Sequence, residues 1–220
     1  MSPPLAIFDL DGTVWDSAPG ILSCMEATLE EFGLPHPGAA RLHEMLGPPL
    51  LTTLAGLGVA EHRLDEARVV YRRHYRDRGE FEASLYDGIV DVLDRLRAAG
   101  FQLATATSKG SEPTRRMLDH FDIARRFDVI AAASMTATGH SKVEIIAEAV
   151  HAAGDRDPAL ITMVGDRSFD IEGGRHFGYR TVGVSWGYAP DGEFADVTPD
   201  HVVHSPTELE ALLLGKQFPS

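Results

Sequence analysis

Leu5-Ala6-Ile7-Phe8-Asp9-Leu10-Asp11-Gly12-Thr13 joins a four-residue apolar run to an acidic turn. A short unbroken apolar run of this kind is the pattern of a parallel strand buried on both faces. Asp9 and Asp11 are two residues apart, so in extended backbone both side chains face the same side. Gly12 allows the sharp turn that presents them. Downstream, strand and helix signals alternate. Ile89, Val92, Leu93 and Leu96 recur at helical spacing, and Gly100 sits where a helix stop is expected. Residues 101–106, 127–132, 160–164, 180–184 and 201–203 read as strands. Helices are expected over 112–120, along Val143, Ile146, Ala147 and Val150 up to Gly154, and over 206–214. This alternation predicts an α/β fold, a doubly wound parallel sheet with helices on both faces.

From about residue 16 to residue 81 the alternation stops and every signal is helical. Ile21, Met25, Leu29 and Phe32 make one stripe; Leu50, Leu51, Leu54 and Leu57 a second; Ala67, Val70, Tyr71, His74 and Tyr75 a third. Pro35, Pro37, Pro48 and Pro49 punctuate the joints. The expected organisation is a catalytic core from 1–15 and 82–220, with a helical cap inserted over 16–81. The insert reads either as extra packing layers or as a lid that excludes water from a site. Its start directly after the acidic turn favours the lid.

The chain has 220 residues, 44% of them hydrophobic and 24% charged, which suits a folded globular protein. Its 20 Lys+Arg against 33 Asp+Glu give a net charge of −13, which argues against nucleic-acid binding because the phosphate polyanion is repelled. No apolar run approaches the length of a membrane span. The N-terminus lacks a basic segment followed by an apolar core, so no secretion signal is expected. Cys24 is the only cysteine, which excludes an internal disulfide and a zinc site of several thiolates and fits a reduced, cytoplasmic setting. A monomer or a homodimer is expected.

In open parallel sheets ligands bind beyond the carboxyl ends of the strands. The polar residues at those positions are Asp9 and Asp11; Thr107, Ser108 and Lys109; and Asp166 and Asp170 in Gly165-Asp166-Arg167-Ser168-Phe169-Asp170. Lys142 joins them at the start of a helix, where a cation opposes the dipole and so calls for a special reason. Clustered carboxylates repel one another unless a hard cation joins them, and Mg²⁺ with oxygen ligands is the usual choice. Lysine and hydroxyl groups beside such a cluster suit a phosphate dianion.

Phe8-Asp9-Leu10-Asp11-Gly12-Thr13-Val14 resembles the first motif of the haloacid dehalogenase-like hydrolases. Thr107 resembles the second, Lys142 in Gly139-His140-Ser141-Lys142 the third, and residues 165–170 the fourth. All four occur in order, and the resemblance covers nearly the whole chain. Residues 45–50 and 183–188 resemble the phosphoglycolate phosphatase-like branch with a small helical cap. The resemblance implies a Mg²⁺-dependent phosphatase acting on a small phosphorylated metabolite. Asp9 would be the nucleophile and would form an aspartyl-phosphate. Asp11 would protonate the leaving alkoxide, then take a proton from the attacking water. Lys142 would neutralise charge between Asp9 and the phosphate, and Thr107 and Ser108 would hold phosphate oxygens. Asp9, Asp166 and the Asp11 backbone carbonyl would bind Mg²⁺, with Asp170 a direct ligand or an outer partner. Gly47 is a candidate for facing the substrate. Asp11 must be protonated when the leaving group departs, which calls for carboxylate neighbours and partial burial. Its presence favours phosphate esters, because dehalogenases of this superfamily lack an acid/base aspartate there. A sugar phosphomutase and a nucleoside monophosphatase of the same superfamily are the rivals, followed by a binding protein on an inactive scaffold.

Plainer readings stand beside these. Asp9 and Asp11 taken alone are turn formers, Ser168 a helix cap, Lys142 a surface lysine and Thr107 a strand former. The six arginines between residues 63 and 80 read as a solvated, charge-paired helix face rather than a phosphate clamp. Trp15 and Trp186 read as packing or hinge residues. Cys24 reads as a small core residue.

Overall fold

The computed structural model describes residues 2–134 and 141–215. In chain order the first elements are β1 (Leu5–Phe8), β2 (Trp15–Asp16), α1 (Ala18–Glu31), α2 (Ala39–Glu44), α3 (Leu50–Gly56), α4 (Leu64–Asp77) and β3 (Ser84–Leu85). Then come α5 (Ile89–Ala98), β4 (Gln102–Gly110), α6 (Ser111–His120), β5 (Val129–Ala133) and α7 (Lys142–Ala153). The last are β6 (Ile161–Gly165), α8 (Ser168–His176), β7 (Arg180–Val184), α9 (Glu193–Val197), β8 (His201–Val203) and α10 (Pro206–Leu214).

The main sheet has the order β5-β4-β1-β6-β7-β8, and its five pairings are all parallel. This is the α/β sheet that the alternation predicts. The apolar run 5–8 is fully buried because β1 lies between β4 and β6. Strand order changes direction at β1, which is where open α/β sheets bind their ligands. Register fixes what meets there. Phe8 sits opposite Thr105 on β4 and Val164 on β6, so Asp9, Thr107 and Asp166 leave neighbouring strands at one edge. Under the sheet, Ile145, Ile146, Ala149 and Val150 of α7 pack with Leu5, Ile7, Ala104, Ala106, Ile161 and Met163. Burying the Leu, Ile, Val and Met side chains among these stabilises by about 1.5–3 kcal/mol each before the entropy of ordering is counted.

The chain divides into two compact units, residues 1–15 with 85–220, and residues 16–84. The second boundary falls three residues beyond the expected residue 81, because the chain there is still tied to α1. Gly20 N–H donates to Glu82 O at 3.1 Å, and Gly79 lies directly against Gly20 and Cys24. Unit 16–84 is helical apart from its terminal strand residues and has cores of its own. One is Cys24, Met25, Leu29, Leu42, Leu57, Tyr71 and Tyr75; the other is Leu54, Val59 and Ala67. The three expected stripes are three of its helices; the short α2 had no stripe to announce it. Arg63, Arg68, Arg73 and Arg76 pair with Glu66, Asp65, Glu31 and Asp77, which is the charge-paired face expected of residues 63–80.

Two further differences bear on the site. β4 runs to Gly110, not to 106, with a register shift between Thr107 and Gly110, so Thr107 and Ser108 lie within an irregular strand end. Ser168 does not cap α8 but is its first residue, and its hydroxyl goes to Glu193. Gly139 and His140 of the third motif lie outside the described residues. Among the described residues no helix is long and apolar enough to cross a membrane.

Candidate active site

Three buried carboxylates, Asp9, Asp166 and Asp170, bring one oxygen each to within 4.8 Å of one another. Asp9 follows β1, and its backbone N–H donates to Val164 O at 2.9 Å. Asp166 follows β6; its side chain accepts from Tyr188 N–H at 2.7 Å and from the Thr13 hydroxyl at 3.3 Å. Asp170 stands in the first turn of α8, where one oxygen accepts from Arg167 N–H at 3.1 Å. Glycine makes these approaches possible. Gly12 has φ +86°, and a Cβ on it would lie 2.2 Å from Asp166 Oδ2. A Cβ on Gly165 would lie 2.2 Å from Asp170 Cγ.

Lys142 opens α7 and enters the cluster. Its Nζ is 2.7 Å from Asp9 Oδ1, 2.7 Å from Asp170 Oδ1 and 2.8 Å from Ala106 O. The contact with Asp170 is a buried ion pair. Ser141 explains why a lysine can stand at this helix start. It forms a capping box with Glu144, which supplies the negative charge that the helix N-terminus favours.

The electrostatics follow from burial. Desolvation pushes the Asp9 carboxyl up from 3.8 to about 7; Lys142 pulls it down, and Asp170 and Asp11 push it up again. Asp166 is also raised well above its ordinary value, by burial and then by Asp9 and Asp170. Burial works against the charge on Lys142, but Asp170 and Asp9 outweigh it and hold the ammonium above the usual lysine range. Three buried carboxylates with one ammonium among them leave an excess of negative charge that a low-dielectric site disfavours. The donor set is all oxygen, which fits a hard divalent cation.

Asp11 departs from expectation in part. Carboxylate neighbours were expected, and Asp9 is one, its carboxyl group raised in part by Asp11; beyond that, the Asp11 Oδ1 accepts from the indole N–H of Trp15 at 2.8 Å, and its Oδ2 lies 3.2 Å from Lys109 Nζ. Its side chain is not one of the three whose oxygens lie within 4.8 Å of one another. Thr107 is buried, and its hydroxyl oxygen accepts from Lys109 N–H at 3.1 Å, leaving its hydrogen to donate. Gly47 lies in unit 16–84 with φ +101°.

Glu193 escaped the sequence reading. It accepts from Arg167 Nε at 2.9 Å and from both the backbone N–H and the hydroxyl of Ser168, tying α9 to the turn from Asp166 into the start of α8. Tyr188, within the 183–188 stretch that the sequence singled out, meets Asp166 through its backbone N–H.

Residues 6–184 match the family model described as haloacid dehalogenase-like hydrolase. The chain is 43% identical over 211 residues to the tyrosine-protein kinase PtkA of Mycobacterium tuberculosis, covering 96% of this chain and 72% of that protein. It is 33% identical over 199 residues to a 5'-nucleotidase of Pseudomonas aeruginosa, covering 90% of each. Its fold is similar to that of a haloacid dehalogenase-like family hydrolase from Streptococcus pneumoniae, with TM-score 0.88 and 30% identity, covering 96% of this chain and 99% of that one. The chain belongs to the haloacid dehalogenase-like hydrolases, as an enzyme of the phosphatase type.

Proposed function

We propose that the chain is a Mg²⁺-dependent phosphatase that hydrolyses small phosphate monoesters through a phosphorylated Asp9. The observation that carries this reading is the buried triad Asp9, Asp166 and Asp170 around Lys142 at the carboxyl end of β1. Those three carboxylates, with the Asp11 backbone carbonyl, would hold Mg²⁺. Bound there, the cation offsets the charge of the carboxylates and of the incoming phosphate.

The remaining work falls to the chain's own groups. Asp9 attacks phosphorus, forming a carboxylate O–P bond as the ester P–O bond breaks. Asp11 gives its proton to the departing oxygen, then takes one from the water that cleaves the aspartyl-phosphate. Lys142 keeps the nucleophile oriented and offsets charge that grows on the transferring group. The Thr107 hydroxyl and the Ser108 N–H hold phosphate oxygens. Unit 16–84 acts as the cap that sets substrate choice, with Gly47 facing the substrate. Phosphoglycolate is the nominal substrate of the branch the sequence resembles, and the nucleotidase relative puts nucleoside monophosphates beside it.

The kinase name of the 43% identical relative favours one second reading, transfer of the phosphoryl group from Asp9 to a hydroxyl other than water. A panel of phosphate monoesters with Mg²⁺, with and without EDTA, separates the two. Release of inorganic phosphate in proportion to ester consumed supports hydrolysis. Ester consumption matched by a new phosphorylated product supports transfer. No consumption of any ester contradicts both.

A further inference from the structure

We infer that Trp15 is a positioning residue for proton transfer by Asp11. The inference rests on the phosphatase reading and on Asp11 as its acid. Trp15 is fully buried, its ring lies 5.6 Å from that of Phe121, and its Nε1 is 2.8 Å from Asp11 Oδ1. An indole N–H can only donate, so it fixes one oxygen without taking up the proton that the carboxyl group must deliver. Gly12 N–H donates to Trp15 O at 2.8 Å, which ties the same tryptophan to the turn between Asp11 and Thr13. Lys109, with a side chain only 8% exposed, supplies the second tie, 3.2 Å from Asp11 Oδ2. Two donors on two oxygens set both the rotamer and the plane of the carboxyl group. A carboxyl group serving only as a turn former needs neither.

In the step concerned, the Asp9 carboxylate forms its bond to phosphorus and the ester P–O bond breaks, with the electron pair staying on the departing oxygen. The proton passes to that oxygen from the Asp11 carboxyl group. A poor leaving group needs that proton and a good one does not, so leaving-group dependence reports the positioning itself.

Trp15→Phe keeps a ring against Phe121 and removes only the N–H. The experiment measures kcat and KM for an alkyl phosphate and for a series of aryl phosphates, in Mg²⁺, for the native chain, Trp15→Phe and Asp11→Asn. Acid catalysis is worth about 10²–10⁴-fold, and a misaligned acid should forfeit at least about tenfold of it. Trp15→Phe is therefore expected to lower kcat on the alkyl phosphate by about 10–100-fold. On 4-nitrophenyl phosphate it should stay within about threefold of native, with KM little changed on either. Lys109→Gln carries the same expectation and serves where Trp15→Phe does not fold. Equal slowing across the series, or none, in whichever variant folds overturns the positioning role while Asp11→Asn still shows the dependence. If Asp11→Asn itself shows no leaving-group dependence, the acid assignment beneath the inference fails.

Discussion

Replacing the nucleophile should make the metal-free protein more stable, not less. Asp9 is buried, and its carboxyl group is raised from 3.8 to about 7, chiefly by desolvation. A group whose folded pKa is raised binds its proton more tightly in the folded state. Folding is therefore penalised once the pH passes the unfolded value, and the penalty grows until the pH passes the folded one. At ~1.4 kcal/mol per tenfold, the rise costs about 4 kcal/mol at pH 8 and about 2 kcal/mol at pH 5. Asp9→Asn abolishes the charge in a side chain of the same shape, and Lys142 retains Asp170 and Ala106 O as partners. Urea unfolding in EDTA at pH 5 and pH 8 reads the effect directly. Asp9→Asn should exceed the native chain by a few kcal/mol at pH 8, with a smaller gain at pH 5. Adding Mg²⁺ should stabilise the native chain more than the variant. A variant less stable than the native chain at pH 8, or a gain that does not grow with pH, would refute the electrostatic reasoning.

Lys142→Met should lower kcat by about 10²–10³-fold, because it removes the ammonium that sits 2.7 Å from the nucleophile; steady-state kinetics at saturating Mg²⁺ checks this. Gly12→Ala places a Cβ 2.2 Å from Asp166 Oδ2 at a left-handed φ. It should cost about 2–3 kcal/mol, seen in calorimetry as a Tm drop of about 5–10 °C, and should weaken Mg²⁺ binding in titration. Glu193→Ala strands the buried Arg167 and removes the hydrogen bonds that Arg167 Nε and the N–H and hydroxyl of Ser168 make to its carboxylate. It should cost about 3 kcal/mol and raise the Mg²⁺ concentration for half-maximal rate.

What the sequence revealed, and what it hid, follows from how each residue acts. β1 was legible because a strand buried on both faces must be apolar throughout, and residues 5–8 are. Asp9, Asp166, Asp170 and Lys142 were legible because each meets the others through its side chain at the end of a strand or the start of a helix. Residue type and position then carry the signal. The environment of Asp11 was not legible. Trp15 lies four residues on and reads locally as packing, and Lys109 meets Asp11 only because the sheet pairs β4 beside β1. Glu193 reaches back 25 residues to Ser168 from a helix of five residues, too short for any periodicity to show. The positive φ of Gly12 was foreseeable from the turn, but its contact with Asp166 depends on β6 lying next to β1.

Trapping the phosphorylated enzyme tests the account most directly. The protein is mixed with Mg²⁺ and a monoester it turns over, quenched in acid within a turnover, reduced with borohydride and mapped by mass spectrometry. The account predicts that the aspartate at residue 9, and no other, is converted to homoserine, and that Asp9→Asn gives none. Steady phosphate release with no modification at Asp9, or modification at another carboxylate, would contradict it.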